Sequence, residues 1–451
     1  MPARSFFDLI VGTSAGGIIA LCLAVKKWTV QQCIDGFHSL CTKAFTPRHC
    51  VNVPVVGRFV RHHHHSAYET KPLKQALITA YGERGYLFGG LTEHNIDTNV
   101  AVATATMAGN PVVLSNYNRV AGDNLPYHFQ RPERLVGELK IWEAARATSA
   151  APKIFRSFEH QPSNQVYIDG ALYYNNPVQI AETERKLIWS DTESLDPDII
   201  LSIGTSHNPR SEPKPSPPPN THGVLTHIKE LMRISTDHIE NSLNGEQTWK
   251  SFMQTLHGRD KKRFVRLNAE LDFDPPKLDE VGKMKELQNY VRRQMESDGR
   301  ITDLAHKLIA TCFYFERYGD VKNLDDGTFS CQGSIRCRFI PGTEQVKHLG
   351  EYLRSFRQKP YFHICEPAET DIPPKKAEIS DKVIDRMVLR NKFELPAVEV
   401  RGSSSQAITE ISIFLATRLI PISGFPRSLT EDYTKKGEEM FAMLGRRESN
   451  I

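Results

Sequence analysis

Along the first half of the chain, short apolar runs alternate with stripes of helical spacing. Residues 6–11 are a short apolar run, the pattern of a strand covered on both faces. After a glycine-rich turn, residues 16–26 carry Ile18, Ile19, Leu21, Cys22, Leu23 and Val25, apolar nearly all round, which predicts a buried helix. Further strand-like runs lie at 100–107, 112–117, 166–169 and 198–203, and helical patterns separate them at 30–43, 71–81, 141–149 and 178–189. This alternation predicts an α/β fold with a mostly parallel central sheet. The pattern then breaks at 213–219 (PKPSPPP), a stiff extended segment. Residues 224–256 and 278–315 have helical spacing, with a strand candidate at 265–271 between them. Alternating runs at 334–340, 361–365, 398–400 and 409–414 predict a small β-rich region. The expected organisation is therefore an α/β core over 1–207, a Pro-rich linker and helical extension over 208–325, a β-rich region over 326–430, and a polar tail over 431–451.

Composition narrows the class. Hydrophobic residues make up 39% and charged residues 24% of 451, the range of folded chains. A net charge of +4 is too small at this length to point to nucleic acid, and none is expected as a partner. The eight cysteines contain no C-x-x-C pair, which argues against a zinc ribbon or redox couple and fits a reducing compartment. Residues 9–25 superficially resemble a signal sequence. Glycines interrupt the stretch, however, and Lys26 and Lys27 follow it without a cleavage site, so neither a leader nor a membrane span is expected. The reading is a cytoplasmic protein, with peripheral contact to a membrane surface left open.

Two motifs carry candidate chemistry. Gly12-Thr13-Ser14-Ala15-Gly16 is a G-x-S-x-G turn between a predicted strand and a predicted helix, the context of a nucleophile elbow. Small neighbours allow the sharp bend, Gly17 lets the helix approach the sheet, and the Ala15 backbone N–H at the helix start is a candidate oxyanion donor. A plain glycine-rich turn is the competing account. A phosphate loop is excluded because Ile18 and Ile19 stand where Lys and Ser/Thr are required, and the dinucleotide spacing is absent. The second motif, Asp169-Gly170-Ala171, ends a predicted strand, where a carboxylate beside Ser14 would accept its proton. An ordinary Asp-Gly turn is the alternative.

Together these motifs resemble the patatin-like phospholipase family, acyl hydrolases that use a serine–aspartate dyad. The likeness extends to residues 7–11 leading into the elbow and to the small-residue helix at 142–152 (WEAARATSAAP). It continues through Asp169-Gly170-Ala171 with Asn176-Pro177, and through the strand at 201–205. The resemblance implies a three-layer α/β fold and a lipid acyl hydrolase with Ser14 as nucleophile and Asp169 as general base. It also implies a phospholipid or other acyl lipid as substrate, and neither cofactor nor metal. The family's glycine-rich D-G-G-G-x-R-G oxyanion loop has no counterpart, since only four residues precede Ser5 and no Gly-Gly-Gly occurs. A late start of the sequence, a rebuilt site and a catalytically impaired lipid-binding or scaffold protein are the three readings of this.

Weaker signals complete the inventory. The histidine run His62 to His65 is a candidate metal tract, more simply a solvated loop. The basic run from Arg259 to Arg263 is a candidate lipid-phosphate contact, more simply an exposed loop. Phe37, Phe45, Phe59 and Phe88 are candidates for an acyl channel, although core packing is the commoner role. His160 and His207 keep a Ser-His-Asp esterase open as an alternative.

Overall fold

The computed structural model describes residues 1–47, 66–88, 98–131, 135–190, 196–210, 238–367, 372–428 and 430. The proline-rich segment, the histidine run, Phe59 and the polar tail lie outside the described residues. The chain forms two compact units, Pro2–Met295 and Glu296 onward. The break thus falls at 295/296 rather than near 207 and 325. Residues 264–267 pair in parallel with 200–203, which draws the described part of the helical extension up to Met295 into the first unit, while residues 296–325 belong to the second.

The first unit is built on a six-stranded sheet. Its strands are β1 (Leu9–Thr13), β2 (Asn99–Thr106), β3 (Pro111–Ser115), β4 (His128–Gln130), β5 (Phe158–His160) and β6 (Gln165–Asp169). The expected strand at 6–11 is displaced: Ala3–Phe6 is a single 3-10 turn, and β1 begins at Leu9, where β2 offers Asn99 as a partner. Arg4 of that turn donates from Nη1 to the Lys27 carbonyl at 3.1 Å. The pairs β1–β2 and β3–β4 are parallel, as is the separate pair β7 (Ile200–Ile203) with β8 (Phe264–Leu267). Short connections across 107–110 and 161–164 add the antiparallel pairs β2–β3 and β5–β6, and β2–β6 is antiparallel too.

Alternation along β2 makes the fold three-layered. Val100 and Val102 point to one face, with Val112 and Leu114 of β3, while Ala101 and Ala103 point to the other with Val113. The first face is covered by α1 (Ala15–Ala24), α2 (Val30–Ala44), α3 (Thr70–Tyr81) and α4 (Ile141–Thr148). The one-turn α5 (Ala171–Tyr174) and α6 (Val178–Ile188) follow β6, and Ile180 of α6 lies in the opposite core. Phe252 of helix α7 (His238–Thr255) and Leu256 just after it pack against Val178 and Phe264, and α8 (Met284–Glu296) lies at the boundary with the second unit.

The second unit opens with α9 (Gly299–Ala310). An antiparallel three-stranded sheet is formed by β9 (Phe313–Asn323), β10 (Phe329–Cys337) and β13 (Val398–Gly402). A second sheet has the order β12 (Lys375–Glu378), β11 (Tyr361–Cys365), β14 (Ile408–Leu415), β15 (Arg418–Pro421), with β16 (Arg427–Ser428) also on β14. Helices α10 (Glu344–Arg354) and α11 (Asp381–Arg390) cross where Gly350 meets Met387, so closely that a Cβ on Gly350 would lie 2.7 Å from that of Met387. Phe313 packs edge-on to Phe362 in the core.

One buried cluster joins α6 to the region around β3 and β4. Glu184, fully buried, accepts from Tyr117 Oη at 2.8 Å, Tyr127 Oη at 2.6 Å and Arg119 Nε at 2.9 Å. Removing one partner of such a pair strands the other charge in a medium that solvates it poorly. Glu184→Ala is therefore expected to lower the unfolding free energy by about 3–5 kcal/mol, read from urea denaturation, with a smaller loss for Glu184→Gln, which keeps one acceptor oxygen for a tyrosine hydroxyl.

Candidate active site

The register on β2 determines which chain ends meet. β1 runs parallel to β2 and reaches Thr13 opposite Ala103, whereas β6 runs antiparallel on the same edge and reaches Asp169 opposite Thr104. Two strands of opposite direction therefore end head to head on neighbouring positions of a third. The residue after β1 is Ser14, and the last residue of β6 is Asp169.

At Ser14 the chain turns with φ 54° and ψ −124°, outside the ordinary regions for a residue with a side chain. Two features hold this strained turn. Gly12 packs under the start of α1 so tightly that a Cβ there would sit 2.3 Å from the Gly16 carbonyl oxygen. Thr148, at the end of α4, donates from Oγ1 to the Ala103 carbonyl at 2.6 Å and accepts the Ser14 N–H at 2.9 Å. Gly17 makes room for Thr148, whose Cγ2 would lie 2.8 Å from an added Cβ. Ala15 opens α1, so its N–H belongs to the first turn, where helix amides lack intrahelical acceptors.

The Ser14 Oγ donates to Asp169 Oδ2 at 2.6 Å, across 155 positions of sequence. The other carboxylate oxygen, Oδ1, accepts the Ala171 N–H at 2.8 Å, and the Asp169 N–H is held by the Ala150 carbonyl at 3.1 Å. Gly170 is needed at this junction, since a Cβ would lie 2.4 Å from the Ala103 oxygen. Asp169 is only 3% exposed, and burial pushes its carboxyl up to about 6, against the opposing pull of the Ser14 hydroxyl and the Ala171 amide. A buried carboxylate with that proton affinity, hydrogen-bonded to a hydroxyl on a strained turn, has the geometry of a base beside a nucleophile.

The remaining sequence candidates lie elsewhere. His160 shares its Nδ1 with Ser163 at 2.7 Å and has Nε2 3.6 Å from Glu143; burial lowers its proton affinity. His207 Nδ1 faces Asn268 Nδ2 at 3.0 Å. Phe45 packs against Tyr68 and Phe155, Phe37 joins the same core, and the Arg131 guanidinium stacks over Phe88. In the basic run, Arg259 is engaged by Asp196 and by Glu182 at 2.7 Å, so its charge is spent within the fold. Among the described residues no cluster of three His, Cys, Asp or Glu side chains is arranged to hold a metal ion, and no helix is long and apolar enough to cross a membrane. Thr148 was not singled out from sequence, where it appeared only as one member of a small-residue helix.

Comparison with known proteins agrees with this architecture. A family model described as patatin-like phospholipase matches residues 2–182, and one described as a domain of unknown function (DUF8392) matches residues 330–436. The chain is 30% identical over 208 residues to calcium-independent phospholipase A2-gamma of Rattus norvegicus, covering 45% of this chain and 24% of that protein. It is 29% identical over 205 residues to the cGAMP-activated phospholipase of Vibrio cholerae serotype O1, covering 44% and 53%. It is 23% identical over 209 residues to probable inactive patatin-like protein 9 of Arabidopsis thaliana, covering 44% and 50%. The matched part thus spans about a quarter to a half of these relatives. No solved structure matches the chain. Residues 2–182, which match the patatin-like phospholipase model, contain the strand–elbow–helix unit of β1 and α1 and the aspartate that ends β6.

Proposed function

We propose that the first unit is a serine lipid acyl hydrolase acting on carboxylic esters of phospholipids or other acyl lipids. The observation that carries this reading is the 2.6 Å hydrogen bond from Ser14 Oγ to the buried Asp169. As Ser14 Oγ attacks the ester carbonyl carbon, its proton passes to Asp169 Oδ2, and the negative charge that develops on the carbonyl oxygen faces the Ala15 N–H at the start of α1. Asp169 then returns the proton to the departing alcohol, leaving the acyl group on Ser14. Water attacks this acyl-enzyme, gives its proton to Asp169, and the fatty acid leaves as Ser14 recovers the proton. The phospholipases among the relatives support the lipid as substrate. A lipid substrate also places the site at a membrane surface during turnover.

A second reading keeps the fold as a non-catalytic lipid binder, and the relative named as probably inactive favours it. Ester hydrolysis by purified chain and by Ser14→Ala separates the two. The hydrolase reading expects turnover that Ser14→Ala abolishes; lipid binding without turnover in either protein would favour the binder.

Asp169→Asn is expected to lower kcat about 10²–10⁴-fold, the usual worth of a positioned base. Because the base must be unprotonated, kcat/KM is expected to fall below a midpoint at about pH 6, measured with a soluble ester. Stability should move the other way. A carboxyl raised from 3.8 to about 6 makes ionisation costly in the fold, by about 3 kcal/mol above pH 6, a cost that disappears below 3.8. Asp169→Asn should therefore raise Tm at pH 7.5, and raise it less at pH 4, by thermal denaturation at both values.

A further inference from the structure

The segment after Asp169 is held from outside the family-matched residues. The Ala171 N–H that positions Asp169 Oδ1 opens α5, a single turn of four residues that is too short to sustain itself. Its upstream end is pinned where Gly170 abuts the Ala103 carbonyl. Its downstream end is pinned by Asn176, which is 4% exposed: Nδ2 donates to the Gly245 carbonyl at 3.2 Å, and Oδ1 accepts from Ser202 Oγ at 3.2 Å and Val178 N–H at 3.3 Å. Ser202 Oγ accepts in turn from Arg266 Nη1 at 2.8 Å. Arg266 donates from Nε at 2.9 Å and Nη2 at 2.7 Å to Glu246 Oε1, which also accepts from Asn268 Nδ2 at 2.7 Å. Glu246 follows Gly245 on α7, so the chain of bonds closes on itself through α7, β8, β7 and the turn before α6. The side chains of Arg266 and Glu246 are only 11% and 18% exposed, which limits screening of the pair.

We infer that Arg266 and Glu246 are positioning residues that hold the turn carrying Ala171, and through it the Asp169 carboxylate, in register with Ser14. The role rests on the hydrolase reading for its catalytic consequence but not for its structural one. Arg266 fixes Ser202 and Glu246 together. Without the guanidinium, Ser202 loses the donor that orients its hydroxyl, and the downstream anchor of α5 is reduced to the bonds of Asn176 with the Gly245 carbonyl and the Val178 N–H. The influences on the Asp169 carboxyl are burial, the Ser14 hydroxyl and the Ala171 amide, none of them a charged side chain, so a displaced Ala171 N–H leaves nothing ionic to compensate.

The test uses the full chain with Arg266→Met, Glu246→Gln and Arg266→Lys. In Arg266→Met and Glu246→Gln, kcat is expected to fall about 10–100-fold, the scale of a small misplacement, with KM within about twofold. The acidic limb of kcat/KM should move to higher pH, since the bond that favours the charged carboxylate weakens. Arg266→Lys, which retains the charge but not the fork, should recover part of kcat. Independently of activity, amide hydrogen exchange over residues 170–177 should accelerate at least tenfold in Arg266→Met and stay at the parental rate in Arg336→Met, a variant in the second unit. Unchanged exchange over 170–177, whatever the activity or Tm, overturns the inference, as does faster exchange with kcat and the acidic limb unmoved in an active chain. Full activity in Ser14→Ala would instead overturn the hydrolase reading, while the exchange measurement would still decide whether the clamp exists.

Discussion

The Ala103 carbonyl on β2 is the reference point of the whole site. β1 and β6 approach it from opposite directions along one edge, Thr148 hydrogen-bonds to it, and Gly170 lies against it with no room for a side chain. Because strand register moves in steps that reverse every side chain, the placement of Ser14 against Asp169 is settled by pairing rather than by the flexibility of either loop. Two residues far apart in sequence reach hydrogen-bond distance because three backbone segments share one position on a rigid strand.

Two buried carboxylates in the same unit show how environment separates roles. Glu184 is sealed in the fold with an arginine and two tyrosine hydroxyls, and it ties a helix to the sheet region around it. Asp169 is as deeply buried but has only neutral donors, so its negative charge is poorly compensated. The first arrangement cements architecture. The second leaves a carboxyl that burial raises to about 6, and the rest of the unit has to supply the stability that its ionised form withholds.

The parts of this molecule that depend on local periodicity were legible in the sequence. Helices at 30–44, 70–81 and 178–188 lie within a residue of their predicted spans, and the elbow and the Asp-Gly-Ala turn stand where strand ends were expected. β9 was hidden because no glycine or proline separates Ala310 from Phe313, so the helical reading ran on into a strand. Helices α10 and α11 did carry a signal, as Val346, Leu349 and Leu353 show, but alternating runs nearby drew the segment towards a β reading. The roles of Thr148, Arg266 and Glu246 had no signal at all. Their significance comes from partners dozens of positions away, and no period or propensity encodes that.

The hydrogen bond from the Ser14 backbone to Thr148 has a chemical consequence of its own. Many serine hydrolases enlist the amide of the nucleophile itself to stabilise the tetrahedral adduct. Here that single proton is already committed to a threonine hydroxyl whose own proton is committed to the sheet. An adduct at Ser14 would therefore draw its stabilisation from donors beyond the serine, with the Ala15 N–H at the start of α1 the nearest in the chain.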